Sequence, residues 1–149
     1  MAYKALVESP SPFVKQVIEF IQQMTKQNRS FALAMLIPSE AAVSDRWNLV
    51  LSAPWIDNGG LAATIPTVTD FLLKYVSRGN AKKLERVSVV PTTDPLVERM
   101  GGLHITPGKA YLVQHFPLTL GDIGEAIVLV AEQPQAIQNY QGHSARTLA

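Results

Sequence analysis

The stretch Trp47-Asn48-Leu49-Val50-Leu51-Ser52-Ala53-Pro54-Trp55-Ile56-Asp57 constrains this chain more than any other. It carries both tryptophans and the clearest two-residue alternation. Side chains of a strand alternate between its two faces. Trp47, Leu49, Leu51, Ala53 and Trp55 therefore share an apolar face that belongs on a core. Asn48, Val50, Ser52 and Pro54 share a mixed face that a core covers in part. Pro54 has no N–H for a ladder, so regular pairing is expected to end there. Asp57-Asn58-Gly59-Gly60 reads as a turn or loop. Ser52, Asp57 and Asn58 then lie near the C-terminal end of a strand, a common place for sites in α/β folds. Trp55 is either a core anchor or, with Asp57, the wall of a pocket or interface, because large aromatics dominate both settings.

The flanking segments extend the pattern. Residues 1–10 form a short arm. Ser11-Pro12 reads as an N-cap followed by proline at the first helical position. Phe13, Val14, Val17, Ile18, Ile21 and Met24 then fall on one helical face, and the helix is expected to end near Asn28. Phe31 to Ile37 is apolar on both faces and reads as a buried strand, joined to the Trp47 strand by a link short enough for antiparallel pairing. The spacing of Leu61, Ile65, Val68, Leu72 and Tyr75 predicts a second helix. Because Pro66 is poorly tolerated in a helix interior, its regular part is placed from Thr64 to Arg78, with Gly79 closing it. Leu84–Val90 reads as a strand, and Asp94-Pro95 opens a short helix that Gly101-Gly102 ends. Leu103–Thr106, Tyr111–Phe116 and Ala126–Ala131 read as a three-strand antiparallel meander, with Gly121-Asp122-Ile123-Gly124 as a turn. The expected fold is α+β: a mixed, largely antiparallel sheet with two main helices and one short one. It forms a single domain over residues 1–149, with a flexible tail from about 133 to 149.

The W-x-L-x-x-S-A-P-W-I-D pattern of Trp47–Asp57 resembles a motif of small uncharacterised bacterial α/β domains. Arg86-Val87-Ser88-Val89-Val90 followed by Asp94-Pro95 is similar in placement to a strand and turn of that group. The resemblance covers roughly the middle third of the chain. It implies a fold and a bacterial source, and it carries no activity with it.

Composition narrows the chemistry. The chain has no cysteine, which excludes disulfides, thiolate catalysis and cysteine-ligated zinc. Charged residues make up 17% and the net charge is +1. A chain so sparsely charged has little repulsion against self-association and lacks the basic excess of a dedicated nucleic-acid binder. Lys74, Arg78, Lys82, Lys83 and Arg86 concentrate positive charge, which reads as a solvated helix end. No window approaches the roughly 18 continuous apolar residues of a membrane span, and Glu8 and Pro10 interrupt any leader-like run. A cytoplasmic protein is expected.

Neither a phosphate-binding loop nor a dinucleotide fingerprint is present, and Ser52 lacks the G-x-S-x-G nucleophile elbow. The three histidines, His104, His115 and His143, are dispersed. If the strands carrying His104 and His115 pair, two imidazoles with Asp57 or Glu125 would make a minimal acid–base or metal set. No metal and no cofactor is expected. The sequence is read as a non-enzymatic binding or interaction module that forms a homodimer. The alternative is a small enzyme or ligand-binding domain with a cleft beyond Trp55. The candidate ligand or interface residues are Trp55, Asp57, Asn58, His104 and His115.

Overall fold

The computed structural model describes residues 3–39, 45–118 and 121–133. They form one mixed six-stranded sheet with helices on both faces. The strands are β1 (Tyr3–Leu6), β2 (Leu33–Pro38), β3 (Trp47–Ser52), β4 (Leu84–Val89), β5 (Tyr111–Leu118) and β6 (Gly121–Ala131). The helices are α1 (Pro12–Lys26), α2 (Pro54–Gly59), α3 (Leu61–Tyr75), α4 (Arg78–Ala81) and α5 (Pro95–Gly101). The sheet order is β1-β5-β6-β2-β3-β4. β3 and β4 are parallel, and the remaining neighbours are antiparallel. This is the expected α+β class, with five helices in place of three among the described residues.

Alternation along β3 sends Leu49 and Leu51 to one face and Val50 and Ser52 to the other. The first face meets Phe13, Val17, Phe20, Ile21 and Met24 of α1, Ile56 of α2, and Val68 and Leu72 of α3. The second meets Val97 and Met100 of α5, alongside Leu33, Met35 and Val128. Both faces of β3 are therefore covered, so the mixed face is buried more fully than its composition suggested. Phe20 joins the buried face of α1, outside the stripe read from spacing, while Ile18 is only partly buried.

Local chemistry sets several boundaries. Ser11 Oγ accepts the Val14 amide with Pro12 at the first helical turn, and Asp94 Oδ1 accepts the Leu96 amide with Pro95 in the same role. Asn28 takes a left-handed φ of 62°, and Arg29 N–H donates to Met24 O at 2.9 Å, which closes α1.

Five expectations are corrected. The Trp47 strand stops at Ser52. Pro54 does not merely end pairing; it starts α2, so Trp55, Asp57 and Asn58 are helical rather than strand and loop. The second helix begins at Leu61, because Gly60 turns the chain with φ 89°, and it runs through Pro66. Ala62 and Pro66 both face solvent, where water can satisfy the carbonyl that proline leaves unbonded. That helix ends at Tyr75, and Gly79 lies inside α4, which Ser77 caps. Leu103–Thr106 is not a strand: only Ile105 pairs, as an isolated bridge to Ala131. Gly121–Gly124 belongs to β6, and the reversal falls between the paired residues Leu118 and Gly121. The N-terminal arm is an edge strand on β5. The tail from 134 onward, with His143, and the link at 40–44 lie outside the described residues.

Candidate functional site

Ala53, extended and fully buried, delivers the chain from β3 into α2. Trp55, in the first turn of that helix, packs partly buried against the core on the Leu49 and Leu51 face. There its Nε1–H donates to Ser30 O at 3.1 Å, and its ring meets Phe31 edge-on with centroids 5.7 Å apart. Phe31 contacts Phe20 in turn at 5.8 Å. The Arg29 guanidinium lies over both Trp55, at 5.8 Å, and Phe71 of α3, at 5.1 Å. Lys74 lies 4.7 Å from the Phe71 ring. A chain of rings and cations thus runs outward from the core, through Trp55, Arg29, Phe71 and Lys74. Cations are held over ring faces by the ring quadrupole.

Asp57, two residues along α2 from Trp55, is partly buried. Its carboxylate accepts Thr92 N–H at 3.2 and 3.3 Å and also the Thr92 hydroxyl. This ties α2 to the segment leaving β4, across the C-terminal ends of the parallel pair. Asn58 is exposed. Ser52, at the end of β3, is fully buried and its Oγ has no hydrogen-bond partner.

His104 and His115 sit at different levels of the sheet. His104 is exposed on the turn after α5 with φ 52°, and its backbone carbonyl accepts from Lys4 Nζ at 3.4 Å. The adjacent Ile105 bridges Ala131, whereas His115 lies between Gln114 and Phe116, whose partners are Glu125 and Ile123. About seven residues of β6 separate those levels, or roughly 23 Å. The seven-residue α5 similarly puts about 10 Å between the Asp94 cap and the end of the helix before His104. What His104 does approach is Glu132: burial raises the Glu132 carboxyl above its ordinary value, and His104 pulls it partly back. Among the described residues, no group of three or more His, Asp or Glu is placed to hold a metal ion. No helix among them is long and apolar enough to cross a membrane.

Sequence reasoning singled out Trp55 and Asp57 but not the residues they meet. Arg29 and Thr92 lie 26 and 35 positions from Trp55 and Asp57, and Phe71 lies 42 from Arg29, so only the folded chain brings them together, whereas Lys74 meets Phe71 three positions along the same helix. Comparison with family models, with curated proteins and with solved structures found no match to this chain.

Proposed function

We propose that the chain is a non-enzymatic interaction module that forms a homodimer through the outer edge of β4, in the cytoplasm of a bacterial cell. The edge itself carries the proposal. Val90 N–H donates to Leu51 O, and Leu49 and Leu51 register with Val87 and Val89. In a parallel ladder this turns the peptide groups of Ser88 and Val90 towards β3 and those of Val87 and Val89 outward. Among the described residues, β4 has a neighbour on one side only. Such an edge is a template for another strand. A two-fold axis through Val87 lets Val87 exchange both hydrogen bonds with its copy, an isologous contact.

Helix α3, which packs on the same end of the sheet, exposes Leu73 at 57% and Ile65 at 38%. A typical interface needs about 800 Å² per partner, roughly a tenth of the 8562 Å² surface. The enzymatic alternative draws less support, because the Asp57 carboxylate is occupied by Thr92 and the two histidines are far apart. Kinship with the bacterial domains sharing the W-x-L-x-x-S-A-P-W motif is part of the same proposal.

Size exclusion with light scattering is the test. The wild-type chain is expected at twice its 16.3 kDa mass at micromolar loading. Val87→Pro removes an outward N–H while leaving the β3 ladder, and is expected at the single-chain mass with unchanged circular dichroism. A single-chain mass for the wild type refutes self-association. A dimeric Val87→Pro refutes the edge alone.

A further inference from the structure

We infer that Arg29 is the anchor of an oxyanion-binding site, one that takes a carboxylate or phosphate group between Trp55, Phe71 and Lys74. Arg29 is half-buried, and among the described residues none of its side-chain nitrogens makes a hydrogen bond or ion pair. Its Nη1 is fully buried without a partner. Buried guanidinium groups ordinarily find carboxylates, because an unpaired buried charge is costly. Here the charge is held instead over two rings, at 5.8 Å from the Trp55 centroid and 5.1 Å from that of Phe71. With Nη1 turned inward, the Nε–Nη2 edge of the guanidinium is the fork left for a ligand, and such an edge suits two parallel hydrogen bonds to a carboxylate or phosphate.

The walls are themselves held in place. Trp55 is locked by its bond to Ser30 O and by the edge contact with Phe31. Backbone hydrogen bonding from Arg29 N to Met24 O fixes where the arginine leaves α1. A receptor ordered before its ligand arrives loses less entropy on binding. Lys74, over the same Phe71 ring, adds a second positive charge at the exposed end of the cluster. Asp70, beside Phe71 in sequence, is the nearby acid on that helix, and it makes no ion pair with either cation. The site is independent of the β4 edge.

Titration of the full-length chain with sodium phosphate and, separately, with sodium acetate tests this, with chloride adjusted to hold ionic strength constant. Tryptophan fluorescence and backbone amide NMR shifts are the readouts. At least one anion is expected to saturate the Trp55 signal, with shifts centred on residues 29, 55 and 71–74. Arg29→Gln is expected to weaken binding about tenfold or more, as loss of a charge-assisted contact implies. Lys74→Gln, at an exposed residue that the fold does not need, is expected to weaken it about threefold. Saturation by phosphate alone assigns the ligand group to phosphate, and saturation by acetate alone assigns it to carboxylate. Linear, non-saturating responses to both anions overturn the inference. So does a folded Arg29→Gln, or Lys74→Gln, that binds as the wild type does.

Discussion

Replacing Ser52 by alanine is expected to stabilise the protein, the reverse of the usual effect of a buried substitution. Ser52 has 0% exposure, lies on the α5 side of β3, and its hydroxyl has no partner. A buried polar group left unsatisfied costs about 1–3 kcal/mol. Alanine keeps the backbone pairing with Leu33 and removes only the oxygen. The void left, on the order of 10 Å³, costs about 0.2–0.3 kcal/mol at the measured cavity slope. The balance is a gain of about 1 kcal/mol or more, which corresponds to roughly 2–4 °C in Tm per kcal/mol for a chain of this size. The neighbouring Leu51→Ala serves as the opposite control. Leu51 is also at 0% exposure but wholly apolar, so its truncation should cost about 2–5 kcal/mol. Urea melts at fixed m-value and calorimetric scans of both variants supply the numbers. If Ser52→Ala loses more than about 0.5 kcal/mol, the hydroxyl has a buried acceptor and the reasoning fails.

Three further outcomes follow from the same geometry. Asp57→Ala should cost about 1 kcal/mol, since water reaches part of the site, and a cycle with Thr92→Val should show most of that loss as coupling between the two; additive losses would mean that the contact is incidental. Gly59→Ala should destabilise by about 1–3 kcal/mol, because its Cβ would stand 2.8 Å from Thr64 Cγ2, and Thr64→Ser, which deletes that methyl, should rescue it in thermal melts. Glu132 has its folded value raised by burial, so the fold binds the proton more tightly than the unfolded chain does. Its favourable contribution is complete below the ordinary carboxyl value of 4.5 and is lost as pH rises through the higher folded value. Glu132→Gln should therefore raise Tm relative to the wild type at pH 7 and lose that advantage by about pH 4. Melts from acid to neutral pH showing the wild type gaining instead would mean that attraction to His104 outweighs burial.

What the sequence determined by itself was whatever a short window of backbone decides. Ser11-Pro12 and Asp94-Pro95 start helices because cap and proline act within one turn, and both do so here. The apolar alternation of residues 47–51 and the two-faced apolarity of residues 33–36 specify β3 and β2 as neighbours, since each must bury what it exposes. Where two local preferences compete, the window is not enough. Pro54 is equally at home after a strand or at the first turn of a helix, and the helix wins because it lets Ile56 enter the core while Trp55 reaches Ser30. Pro66 argued against an interior position on propensity, yet Val68 and Leu72 gain enough burial for α3 to continue through it. Tertiary structure alone decided the candidate sites. Arg29 lies in the loop after α1, Trp55 in α2 and Phe71 in α3, and Asp57 meets Thr92 only because β4 lies parallel beside β3. The cost of closing such loops is met by burial summed over the whole sheet, which no single stretch of residues encodes.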